Sequence, residues 1–294
     1  MKTAVVLMAY GSPSRPEDVG AYLSDIRGGR PVSPEAVEEL AERYRRIGGG
    51  SPLNEITERQ RAALEQELGL PVYVGMKHWT PRIAEAADRA LDGGAERVIG
   101  LVLAPHYARM SIGGYQSQLE DALAGRAELS FIAGYPTYPP LIELLADRLD
   151  DTDAHVVFTA HSLPARILDE GDSYQDQLLE TSRLVAEQAG ISSWSFAFQS
   201  ESPTGEPWLG PDILDELERL HSEGVTKVLV EPIGFVADHL EIYWDIDIEA
   251  REKAVQLGLE LDRTESLNDD PAFIRVLAGV VQQQPAYPPA VPAP

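Results

Sequence analysis

Two segments carry the residue types that could do chemistry. VVFTAHSLP, residues 156–164, puts His161 at the C-terminal end of an apolar strand. PIGFVADHLEIYWDIDIEA, residues 232–250, ends a strand, turns through Asp238 and His239, and starts a helix carrying Glu241, Asp245 and Glu249. A four-residue spacing stacks those three carboxylates along one side of a helix, where like charges repel. Such a row is expected where a cation can join it. An acid in a first helical turn can serve only the helix dipole. The largely apolar run GFVADHLE argues for more, because it sets Glu241 at a buried or cleft position, where a carboxylate needs a partner. Neutral imidazole binds divalent metals and accepts protons near neutral pH. The pair of segments therefore points to divalent-metal handling or proton transfer. His78 in GMKHWTP and His106 in LAPHYA also fall at strand ends, and Lys77, Arg27 and Arg30 are candidate cationic contacts.

Apolar runs alternate with amphipathic stretches along the chain. Strands are expected at 3–9, 71–75, 97–104, 129–133, 155–160, 195–199 and 226–233. Helices are expected at 34–46, 55–68, 81–92, 174–189, 211–223 and 270–283. Near-continuous apolar strands between helices indicate parallel sheets covered on both faces, whose ligands bind beyond the carboxyl ends of the strands. The halves resemble each other. VVLMAYGSP (5–13) aligns with VVFTAHSLP, setting Tyr10 opposite His161, and RVIGLVLAPH (97–106) has a looser counterpart in KVLVEPIGFV (227–236). The expected fold class is α/β, with two doubly wound domains of similar topology, 1–140 and 150–284, followed by a disordered proline-rich tail, 285–294. Two irregular segments are expected to face ligand: IGGGSPL, ending at Leu53, and the loop 200–211 with Trp208.

Acidic residues number 48 against 24 Lys and Arg, giving a net charge of −24, which argues against nucleic-acid binding and adhesion to anionic lipid. The chain has no cysteine, which excludes thiolate zinc sites, thiol catalysis and cysteine-ligated iron–sulfur clusters. No run of about 18 apolar residues could span a membrane. The expected location is the cytoplasm. No P-loop, GxGxxG fingerprint, GxSxG elbow or HExxH motif occurs.

At AHSLP, QS…PWLGP and GFVADHLE, in that order, the chain resembles the ferrochelatases, which insert ferrous iron into a porphyrin. The resemblance runs from Val5 to about Val281. MAYGSP with its tyrosine, IGGGSPL, MKHWTP and APHYARMSIGGY resemble the Gram-positive type, which acts on coproporphyrin III. The resemblance implies two Rossmann-like domains with a porphyrin cleft between them. It implies His161 and Glu241 as the metal pair, with Asp245 and Glu249 as an outer acidic path. Tyr10 would face the porphyrin and contact iron. Arg27, Ser51 and Tyr115 would bind propionates, and Ile26, Lys77, His78 and Trp208 would line the cleft. Gly28 stands where some relatives have a second arginine, so that contact would be either missing or replaced by Arg30 or Arg45. Fe²⁺ is then a substrate, with no permanently bound cofactor. The expected partners are coproporphyrin III, ferrous iron and, transiently, other haem-pathway enzymes, with the protein itself a monomer.

The competing readings are a protoporphyrin ferrochelatase, another tetrapyrrole chelatase of the same fold, and a non-catalytic tetrapyrrole carrier. A carrier would not need both His161 and the carboxylate row. A periplasmic-type binding protein shares the two-lobed architecture but should carry an export signal.

Overall fold

A computed structural model of the chain describes residues 1–149, 152–202, 204–285 and 287. Apart from Pro285 and Tyr287, the expected tail 285–294 lies outside them, as do Asp150, Asp151 and Pro203. The first half runs β1 (Thr3–Ala9), α1 (Val19–Ile26), α2 (Pro34–Arg46), α3 (Leu53–Leu68), β2 (Val72–Met76), α4 (Ile83–Asp92), β3 (Arg97–Val102), α5 (Ile112–Leu123) and β4 (Glu128–Ile132). The second runs α6 (Pro139–Asp147), β5 (His155–His161), α7 (Arg166–Asp169), α8 (Tyr174–Gln188), β6 (Trp194–Gln199), α9 (Ile213–Ser222) and β7 (Lys227–Glu231). It ends with a π-helix (Ile242–Ala250), α10 (Arg251–Leu257), β8 (Glu260–Arg263) and α11 (Pro271–Gln282).

Each half builds a four-stranded parallel sheet, in the orders β2-β1-β3-β4 and β6-β5-β7-β8. The orders are the same, so β1 and β5 hold equivalent places, as do β3 and β7. Tyr10 and His161 therefore both stand at the exit of a central strand. The likeness extends past the next strand. Met76 N donates to Pro81 O at 2.7 Å, and Phe198 N donates to Pro211 O at 2.7 Å, closing each loop back on its strand. Every residue of β1 is buried, as a strand covered by helices on both faces requires. One core joins β1 and β3 to α4 and α5 through Val6, Met8, Ala86, Val98 and Leu119. The other joins β5, β7 and β8 to α9 and the π-helix through Val157, Leu217, Val230, Ile246 and Leu261.

The contacts divide the chain into Met1–Leu40, Pro52–Tyr135 and Asn268 onward as one unit, and Ala41–Ser51 with Pro136–Leu267 as the other. Two segments thus differ from the continuous stretches 1–140 and 150–284. Residues 41–51 fold with the second unit. The last helix, α11, folds with the first, where Arg59 on α3 pairs with Asp269 at 3.0 Å and Gln60 donates to Asn268 O at 2.7 Å. An apolar helix such as α11, with Phe273, Leu277 and Val281 buried, covers whichever helix face is open, and sequence position does not specify that face.

Gly234 fixes the approach of the 232–250 segment to β5. Its N donates to Thr159 O at 3.0 Å, and a Cβ there would fall 2.4 Å from Ala160 Cβ. Only glycine lets this turn lie against the strand one residue before His161. Gly234→Ala is expected to cost about 1–3 kcal/mol through overpacking, read as a lower urea midpoint at unchanged slope.

Candidate active site

In the second unit the end of β6 links β5 to the segment that carries the carboxylates. His161 and Gln199 are register partners at the ends of β5 and β6. Gln199 Nε2 donates to Glu241 O at 2.9 Å and reaches Asp245 Oδ2 at 3.4 Å. The Ser200 hydroxyl donates to the same Asp245 oxygen. Neither Gln199 nor Ser200 stood out in the sequence beyond the QS of a loop signature. Ser200 holds φ +66°, a left-handed conformation that serine rarely adopts and that aims its hydroxyl off the strand end.

His161 is pinned on both sides. Tyr174 donates its hydroxyl to His161 O at 3.0 Å, and Ser162 N donates to Gln199 O at 2.7 Å. Its Nδ1 contacts Ser162 O. A carbonyl only accepts, so Nδ1 carries the proton and Nε2 keeps the lone pair a metal or proton needs. The AHSLP turn and the Trp208 loop are joined: Leu209 N donates to Leu163 O at 2.9 Å, and the Ser162 hydroxyl donates to Leu209 O at 2.7 Å; within the loop Trp208 Nε1 donates to Thr204 Oγ1 at 2.9 Å.

The three carboxylates lie on a π-helix and its cap, where an α-helix was expected. Hydrogen bonds from i to i+5 widen the turn, a rare geometry found mostly at functional sites. Ile242, Ile246 and Ala250 point into the core, leaving 241, 245 and 249 on the adjoining side. The row survives the change of winding, since the charges of both Glu241 and Glu249 act on Asp245. Asp245 is only 7% exposed. Burial pushes its carboxyl up to about 7, reinforced by the two flanking carboxylates and opposed by the bonds from Ser200 and Gln199.

Glu241 meets His239, a residue of the turn that precedes the helix. His239 Nδ1 faces Ala237 O at 2.8 Å and must donate, while Nε2 lies 3.3 Å from Glu241 Oε2. A lone pair facing a carboxylate calls for a proton or a cation between them. Among the described residues no three His, Asp or Glu side chains form a ready-made metal cluster.

In the first unit, Tyr10, 37% exposed, packs its ring against His78 at a tilt of 54°, with centroids 4.6 Å apart. Lys77 Nζ donates to Ser111 O at 3.0 Å and sits 4.8 Å over the ring of buried Tyr115. Burial lowers the pKa of the Lys77 ammonium. Ile26, Lys77 and His78 line an open groove of about 750 Å³ with Asp25, Arg82 and Gln118. Arg27 and Arg30 are exposed just past α1, and neither side chain has an ion pair among the described residues. Arg45 pairs with Glu42 on α2, and Ser51 is half-buried ahead of α3; both belong to the second unit. His106 is buried and held neutral, its pKa lowered to about 3 by desolvation.

A model of the family described as ferrochelatase matches residues 2–285. The chain belongs to the ferrochelatase family. It is 45% identical to the ferrochelatase of Herpetosiphon aurantiacus, covering 96% of this chain and 99% of that one. It is 38% identical to the coproporphyrin III ferrochelatase of Halalkalibacterium halodurans, covering 96% and 97%. The fold is shared with SirB from Bacillus subtilis, solved with Fe³⁺, at TM-score 0.63 and 12% identity, over 96% and 95% of the two chains. The protein is therefore a metal-inserting lyase of haem biosynthesis, with a porphyrin and iron as substrates. Among the described residues no helix is long and apolar enough to cross a membrane.

The Asp245 carboxyl gives the ferrochelatase a testable pH dependence. Its folded pKa of about 7 lies above the ordinary 3.8, so between those values the folded state holds the proton that the unfolded chain has released. Stability is therefore lost as pH rises through this window and levels off above it. Asp245→Asn is expected to stabilise the protein by on the order of 1–3 kcal/mol at pH 8 and by little at pH 4. Thermal midpoints of both proteins at the two pH values check this.

Proposed function

We propose that this ferrochelatase inserts Fe²⁺ into coproporphyrin III, giving coprohaem. The observation that carries the choice is the state of Arg27 and Arg30. In a chain with twice as many acids as bases, arginines such as Arg59, Arg97, Arg126, Arg183 and Arg219 are held by carboxylates, whereas these two are not. Coproporphyrin carries four propionates and protoporphyrin two. A tetra-anion approaching a protein of net charge −24 needs uncommitted cations at its site. Arg27 and Arg30 beside the groove meet that need, with Lys77 and Tyr115 as further contacts to carboxylates. Gly28, which lines the groove, leaves room where a second arginine would stand. The naming of several relatives as coproporphyrin III ferrochelatases supports the same reading.

The chemistry needs two N–H protons removed from the macrocycle and one hydrated cation stripped of water. His161, with its Nε2 lone pair, is the proposed proton acceptor and metal contact, and Glu241 its partner. Asp245 and Glu249 form the proposed approach for Fe²⁺, exchanging carboxylate oxygens for water stepwise. Tyr10 would face the porphyrin from its own strand end, with Ile26, His78 and Trp208 as apolar and aromatic walls that favour a bent macrocycle over a flat one. Ser51, Arg30 and Arg45 complete the proposed polar contacts. No resident cofactor enters the scheme, and iron is consumed as substrate.

Anaerobic mixing with Fe²⁺ and either porphyrin, followed by the Soret band, tests the choice. Wild-type protein is expected to metallate coproporphyrin III faster than protoporphyrin IX. Arg27→Ala with Arg30→Ala should raise KM for coproporphyrin by about tenfold. His161→Ala should bind coproporphyrin yet lose at least about 100-fold in insertion rate. A wild-type preference for protoporphyrin would overturn the substrate assignment, and normal turnover by His161→Ala would overturn the role of that residue.

A further inference from the structure

The groove in the first unit holds a polar arrangement that the insertion chemistry above does not use. Asp25 sits in the last turn of α1, where a helix dipole disfavours an acid, and is only partly exposed. Its carboxylate is gripped on one side by Arg82, Nη1 to Oδ2 and Nη2 to Oδ1, each at 2.9 Å. On the other side Oδ2 meets His78 Nδ1 at 2.9 Å. Arg82 Nη1 also donates to Lys77 O at 3.3 Å, and His78 N donates to Tyr10 O at 2.9 Å. The His78 ring is therefore fixed by its backbone, by Asp25 and by its tilted contact with the Tyr10 ring.

We propose that Asp25 is a positioning residue for metal insertion: clamped by Arg82, it sets the rotamer and tautomer of His78 and, through that ring, the aim of Tyr10. An ionised carboxylate only accepts, so Nδ1 of His78 donates and Nε2 is left as the ring's lone-pair nitrogen. Charge states agree. Burial pushes the Asp25 carboxyl up, but Arg82 and His78 outweigh it and hold it below the usual range. Burial also keeps His78 neutral, against the pull of Asp25. The proposal deepens the reading that His78 and Tyr10 face the porphyrin, and rests on it.

Asp25→Asn exchanges an acceptor for a group that can donate to His78 Nδ1, which favours the opposite tautomer. The expected result is a fall in kcat of about tenfold or more with KM for porphyrin changed less than about threefold. ¹⁵N spectra of histidine-labelled protein should show His78 moving from Nδ1–H to Nε2–H. With six histidines in the chain, the signal is assigned by its loss in His78→Gln. Arg82→Gln, a change at a more exposed position, should lower kcat about threefold or more while His78 keeps Nδ1–H, and serves should Asp25→Asn not fold. Assays use whichever porphyrin the wild type metallates, so an error in the coproporphyrin assignment leaves this test intact. If His78→Gln slows insertion while the Asp25 and Arg82 variants match wild type in kcat, the positioning role is overturned alone. If His78→Gln is also normal, the reading of the groove falls with it.

Discussion

A carboxyl group buried beside two others is out of balance until a proton or a cation joins it. Asp245 is in that condition, with Glu241 and Glu249 acting on it and burial holding water away. Removing ions from water costs several kcal/mol each, so such a row is retained against stability. Much of the second unit serves to hold it. The β5–β6 register delivers Gln199 and Ser200 to Asp245, Gly234 presses the approach to the π-helix against β5, and the apolar side of that helix anchors it in the core. A strained serine and a rare helical winding occur together there, as expected where local preferences yield to a functional arrangement.

The first unit repeats the topology and not the chemistry. Its central strand is followed by Tyr10 where the other ends in His161, and its groove is lined by Lys77, His78 and Arg82, with Arg82 and His78 engaging the Asp25 carboxylate. One sheet end thus offers acids and imidazoles suited to a cation. The other offers aromatic and cationic groups suited to the faces and carboxylates of a planar anion. Those are the two substrate classes of the ferrochelatase family.

Seven of the strands were legible because parallel, doubly covered strands are nearly continuous apolar runs, as TAVVLMA is. The eighth, ELDR, was not. It is an edge strand with Glu260 and Asp262 turned to solvent, so its composition reads as loop. Helix α5 begins with Gly113 and Gly114, residues of low helix propensity; a Cβ on Gly114 would come 2.9 Å from Lys77 Nζ, so the glycine serves the lysine and not the helix. The carboxylate spacing was readable, whereas the π winding was not, since side-chain periodicity does not reveal an i to i+5 bond. The placing of Gln199 beside His161, from where it reaches Glu241 O and Asp245, depends on strand register, which no single segment encodes. His239 lay in a segment already singled out, but its pairing with Glu241 is a matter of geometry.

The most direct test of the metal assignment is anaerobic calorimetric titration of Fe²⁺ into porphyrin-free protein, comparing wild type with Glu241→Gln and Asp245→Asn. The account predicts saturable binding by wild type that weakens by about tenfold or more in each variant. Equal affinity in all three proteins would contradict it, because the carboxylate row would then have no part in holding the cation.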